Sequence, residues 1–113
     1  MRFLMTYSAT SPTPPTPEKM AELGEFSARK AKSGKLVDTG GMFTVGPKIT
    51  LEAGTFTVTD GPFPETKELI VGYAIVDVAD VAEAIAEARE FMAVAGDGVG
   101  EIRQMMNNPD HPH

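Results

Sequence analysis

The order of secondary-structure signals in this 113-residue chain predicts an α+β fold, a ferredoxin-like split βαβ arrangement with an extra central hairpin. Three observations carry that expectation. Two amphipathic helical stretches, each with its own start and stop signals, stand between stretches of strand character. An apolar run over residues 69–78 separates the halves. Two short segments that alternate polar and apolar residues flank Ala53-Gly54 and supply the additional hairpin.

Taken in order, residues 2–7 are short and rich in strand formers, and read as the first strand. The prolines within residues 8–15 forbid a helix and leave too few amide donors for a ladder, so this stretch is an extended surface connection. Thr16 before Pro17 starts a helix over residues 17–33: the threonine oxygen caps free amides, and proline at the first helical position loses no bond. On a 3.6-residue wheel Met20, Leu23, Gly24, Ser27 and Ala31 form its inward face, with Glu18, Glu22, Glu25, Arg29 and Lys32 opposite. Gly34 ends it. Residues 35–43 form a second strand, in which Gly40-Gly41 mark a bulge or the close approach of another backbone. Gly46-Pro47 turns the chain into the hairpin, residues 48–52 and 55–59, with one dry face and its threonines and charges toward solvent.

The run over residues 69–78 is apolar on both sides. Ile70, Ala74, Val76 and Val78 point one way; Val71, Tyr73 and Ile75 point the other. Two helices cover one face of a single sheet, so the other face needs a further layer, and the same sheet from a second copy is the simplest one. The expected assembly is therefore a two-fold homodimer. Asp80-Val81-Ala82-Glu83 is a capping box, and Val81, Ala84, Ile85, Ala88, Phe91, Met92 and Ala95 form the apolar stripe of a second helix stopped by Gly96. Asp97-Gly98 turns into a last strand over residues 99–106, where Met105 and Met106 read as core filling. Residues 1–106 thus make a single domain. Residues 107–113 make a flexible tail, whose His111 and His113 are expected to be inert rather than metal ligands.

Composition narrows the function classes. The absence of cysteine excludes a disulfide framework, thiol catalysis and a thiolate metal site. Ten basic against sixteen acidic side chains leave a net charge of −6, which repels phosphate backbones and anionic lipid surfaces. Neither nucleic acid nor a membrane is an expected partner. With no apolar run of about 18 residues and no charged-then-apolar leader, the cytoplasm is the expected compartment.

The densest chemistry lies in Asp60-Gly61-Pro62-Phe63-Pro64-Glu65-Thr66-Lys67-Glu68, ahead of Gly72-Tyr73. Pro62 and Pro64 fix backbone torsions and present Phe63 on a stiffened loop. Asp60 can stabilise the turn by accepting amide bonds, and Glu65, Lys67 and Glu68 can neutralise one another on a rim. A sharper reading places Asp60, Glu68 and Tyr7 at a cleft as candidate catalytic residues, with a burial-raised carboxylate as general base. Lys67 or Arg103 would then bind an anionic oxygen. No serine, cysteine or histidine set suggests covalent catalysis, and neither a cofactor nor a metal is called for.

These residues resemble the signature of DGPF-domain proteins of the YCII-related family, from the opening strand through the Glu101-Ile102-Arg103 segment. The resemblance implies a bacterial protein forming a dimeric α+β barrel; some members are encoded beside extracytoplasmic-function sigma factors. Two departures stand out. A related branch carries an acid–base histidine on its first helix, and residues 17–33 contain none. The chain also has Pro64 and Val71-Gly72 where the signature often shows alanine and a glycine pair, which implies a bulkier wall. The first functional expectation is a small-molecule-binding or regulatory module with its site at the dimer cleft, ligand contacts falling to Asp60, Phe63, Glu65, Lys67, Glu68 and Arg103. Alternatives are a cofactor-independent enzyme of proton transfer on a carbonyl compound, and a protein-interaction module for a regulatory partner such as a sigma factor.

Overall fold

The computed structural model describes residues 1–10, 15–43, 46–59 and 71–106. Within them the elements are β1 (Arg2–Ala9), α1 (Pro17–Lys32), β2 (Leu36–Met42), β3 (Lys48–Glu52), β4 (Thr55–Thr59), β5 (Val71–Asp77), α2 (Val81–Ala95) and β6 (Gly98–Gln104). β2, β5, β1 and β6 form one sheet in that order, every neighbouring pair antiparallel, while β3 and β4 form a separate ribbon. β5 lies between the two strands joined by α1, and β1 lies between the two joined by α2. This is the split βαβ arrangement with the hairpin inserted between its halves. No helix among the described residues is long and apolar enough to cross a membrane.

Local chemistry sets the element ends. Thr16 Oγ1 accepts from the Lys19 amide at 3.1 Å. Asp80 accepts from the Glu83 amide at 2.9 Å, and the Glu83 carboxylate reaches back to the Ala79 amide at 2.8 Å. These bonds satisfy amides that have no partner inside the helix. Gly34 and Gly96 close the two helices at φ 85° and 104°, a region that a Cβ disfavours.

Both helices lie on the sheet face that carries Phe3, Met5, Tyr7, Ala74 and Val76. Phe3, Val76, Val78 and Ala84 make the packed core, with Met5, Leu36 and Ile102 against it.

Several expectations are corrected by this packing. Four residues of the expected inward face of α1, Met20, Leu23, Gly24 and Ser27, line the space over the sheet, but Ala31 is exposed, and Phe26 and Lys30, which the wheel did not place inward, are buried and half-buried. Phe26 is drawn inward because its ring packs on Phe91 of α2. Val81 and Ile85 drop out of the α2 stripe and are exposed, and Glu87 is buried in it instead. The register break in β2 falls between Leu36 and Asp38, not at the glycines. Gly40 answers to a close approach of another kind, since a Cβ there would lie 3.0 Å from the Tyr73 ring. Met106 is 92% exposed, beyond the last strand, and fills no core. Among the described residues, nothing covers the hairpin face expected to be dry: Ile49, Leu51, Phe56 and Val58 are exposed. The candidate residues Asp60, Phe63, Glu65, Lys67 and Glu68, with Ile70 and the tail over 107–113, lie outside the described residues.

Candidate functional site

Side-chain size falls steadily along the sheet. Cross-strand register sets Leu36, Val76, Phe3 and Gln104 in one row, Thr39, Ala74, Met5 and Ile102 in the next, and Gly41, Gly72, Tyr7 and Gly100 in the third. Helices resting on the large residues of the first row cannot also touch the glycines of the third. The result is a cavity of about 570 Å3 between the glycine end of the sheet and the two helices. That volume lies within the range of small-molecule sites.

Its roof is braced at both ends. Near one end Lys19 Nζ donates to the Val94 carbonyl at 2.7 Å, tying the start of α1 to the end of α2. Near the other, Glu87 is only 7% exposed and accepts from Lys30 at 2.8 Å and from Lys35 at 3.2 Å. Glu90 bonds Lys30 and Glu83 bonds Lys35, so one buried carboxylate joins α1, α2 and the approach to β2. The Glu87 bond, reinforced by Glu90, raises the Lys30 pKa; Glu87 and Glu83 do the same for Lys35. Between the clamps the walls are apolar, formed by Leu23, Phe26, Phe91 and Met92.

Tyr7 is the one large side chain in the glycine row. Its ring meets Phe91 edge-on, with centroids 5.1 Å apart and planes at 86°. Its hydroxyl lies 2.9 Å from the Gly96 carbonyl and 3.1 Å from that of Asp97, and donates to them. Burial, with the Asp97 charge adding to it, raises the phenol pKa, which keeps the hydroxyl a donor. Gly98 is required beside it, because a Cβ there would lie 2.5 Å from the Tyr7 ring.

Of the residues singled out from the sequence, Tyr7 lines this cavity. Arg103 does not: it stands opposite Leu4 on the helix-free face, exposed and paired with Glu101 at 2.8 Å. Tyr7 and Arg103 therefore point to opposite sides of the sheet. Phe26, Lys30 and Glu87 were missed by sequence reasoning. A signal for Glu87 existed, since position 87 falls inside the stripe made by Ala84, Ala88 and Phe91, and a charge phased inward demands a partner.

Among families of known proteins, the model of the YCII-related domain matches residues 1–108, nearly the whole chain. The chain belongs to the YCII-related family. An uncharacterised protein of Rhizobium meliloti (strain 1021) is similar to it, 33% identical over 89 residues that cover 76% of this chain and 72% of that protein. In this YCII-related chain the polar groups facing the cavity from α1 are Lys19, Ser27 and Lys30, and the acid opposite them, Glu87, comes from α2.

Proposed function

We propose that this YCII-related domain is a binding module for a small, neutral, largely apolar molecule held between the glycine row and the two helices. The observation that supports this reading is the cavity itself, which the loss of side-chain volume from Phe3 to Gly72 and Gly41 creates. The character of the ligand follows from the hydrogen bonds around it. Glu87 is held by two lysines, Lys19 by the Val94 carbonyl and the Tyr7 hydroxyl by two carbonyls. A charged ligand would have to break one of these pairs or give up its hydration without compensation, at a cost of several kcal/mol. An apolar ligand costs neither and gains about 25 cal/mol for each Å2 it buries. The segment over residues 60–70 runs directly into β5, whose Gly72 is part of the cavity floor.

Gly41 offers a clean test. Its strand conformation is not left-handed, and a Cβ there meets nothing within 4 Å. Gly41→Leu is therefore expected to fill the cavity while leaving stability unchanged or raised by up to about 1 kcal/mol, because glycine weakens a strand. Displacement of a naphthalene-type fluorescent dye by matched neutral, carboxylate and amine compounds would be measured on both proteins. Preference for the neutral series, lost roughly tenfold or more in Gly41→Leu, is the expected result. Equal binding by a folded Gly41→Leu, or tighter binding of the charged series, would overturn the proposal.

A further inference from the structure

Ser27 lies on the cavity side of α1, half-buried, and its hydroxyl has no hydrogen-bond partner among the described residues. A serine inside a helix can turn its hydroxyl back to a carbonyl three or four residues earlier. Ser33, at the end of α1, donates in this way to the Lys30 carbonyl at 2.7 Å. Ser27 makes no such bond. The other polar side chains along the cavity are committed to the protein: the lysines, Glu87 and the Tyr7 hydroxyl as described, Thr39 to the Tyr73 carbonyl, Thr6 to the Glu101 amide. Tyr73 and Glu101 are held by Asp38 and Arg103. Three residues before Ser27, and so beside it on the helix surface, Gly24 also lines the cavity. Glycine inside a helix is less stable than alanine. No tight packing requires it here, because a Cβ at Gly24 would meet nothing within 4 Å. The two residues make a notch in the apolar wall, open space next to one uncommitted hydroxyl.

We infer that Ser27 sets the ligand class: its hydroxyl donates to a single neutral oxygen, a ketone carbonyl or an alcohol, carried on an otherwise apolar frame, and the space left by Gly24 receives that oxygen. This refinement rests on the cavity's being a site for a neutral, largely apolar molecule. The supply of hydrogen bonds fixes how many polar groups the ligand carries. One uncommitted hydroxyl satisfies one ligand oxygen, and a second oxygen would be buried without a partner, which costs more than a bond returns. Polyols, sugars and carboxylates are disfavoured on that ground. A plain hydrocarbon is disfavoured less strongly, because it would seal the Ser27 hydroxyl from water and offer it nothing to bond. Ser27 is thus the residue that separates an oxygenated ligand from a hydrocarbon of the same shape, while the apolar walls supply the affinity common to both.

Indane, 2-indanone and 2-indanol share one frame and differ at one position. Displacement of the fluorescent dye by each would be measured on the wild-type chain, Ser27→Ala and Gly24→Ala. Alanine is the better helix former at both positions, so both variants are expected to fold. Ser27→Ala should weaken binding of the ketone and the alcohol roughly tenfold, the worth of one hydrogen bond, while indane stays within about twofold. Gly24→Ala, which sets a methyl group where the oxygen sits, should raise the melting temperature and weaken the same two ligands more than indane. An equal loss for all three compounds in Ser27→Ala, or no loss for any, would overturn the inference and leave the cavity reading standing. If the wild-type chain binds none of the three, or Gly41→Leu binds all of them as tightly as the wild type, the molecules do not occupy the cavity and both readings fall.

Discussion

Tyr7 stands alone in a row of glycines, and its hydroxyl bridges the first strand to the carbonyls that end the second helix. Those carbonyls belong to Gly96 and Asp97, where the chain leaves α2 for β6. Removing the hydroxyl leaves the ring against Phe91 and takes away one partly buried hydrogen bond. Tyr7→Phe is expected to lower unfolding free energy by about 1 kcal/mol, read from urea denaturation. The amides of residues 96–98 should lose hydrogen-exchange protection before the rest of the sheet does. A loss well below that, with no local change in exchange, would mean that the bond does not hold the corner. Tyr7 was legible from the sequence as a residue of interest. Its surroundings were not, because Phe91 and Gly96 approach it only after α2 has crossed the sheet.

The hairpin illustrates what an element owes to its turn. Ala53 and Gly54 both have positive φ, at 48° and 82°, as a two-residue type I′ turn demands. Alanine in that conformation costs about 1 kcal/mol, whereas asparagine tolerates it. Ala53→Asn is accordingly expected to slow hydrogen exchange in β3 and β4 by roughly fivefold, with the four-stranded sheet unaffected. Faster exchange in the variant would show that the turn is not what limits the ribbon. The element was readable from sequence because alternation and turn residues are local. Its uncovered face was not, since periodicity identifies an apolar side without saying what lies against it.

At the scale of the whole molecule, the Lys30, Lys35, Glu83, Glu87 and Glu90 network ties both helices to the entry of β2. Its titration has a definite sign. Glu90 is lowered below the ordinary 4.5 by Lys30, and Glu83 by the Ala79 amide and then Lys35. Their contribution is present above pH 4.5 and is lost as pH falls through the lowered values. Lys30 and Lys35 are raised above 10.5, so theirs is present below pH 10.5 and is lost as pH climbs through the raised values. Urea midpoints are expected to hold level between these limits and fall on both sides. The acid limb should flatten in Glu83→Gln with Glu90→Gln; an unchanged limb in that variant would remove the network from the account. From the chain alone came the order of elements, the helix caps, the stops at Gly34 and Gly96, the two-sided character of β5 and the family, because each is carried by neighbouring residues or by a contiguous motif. The burial of Phe26 and Glu87, the separation of Tyr7 from Arg103 and the cavity over Gly41 and Gly72 came from packing. Each joins residues distant in sequence, and a ring packed between two helices or a single shared row across four strands leaves no periodic trace to read.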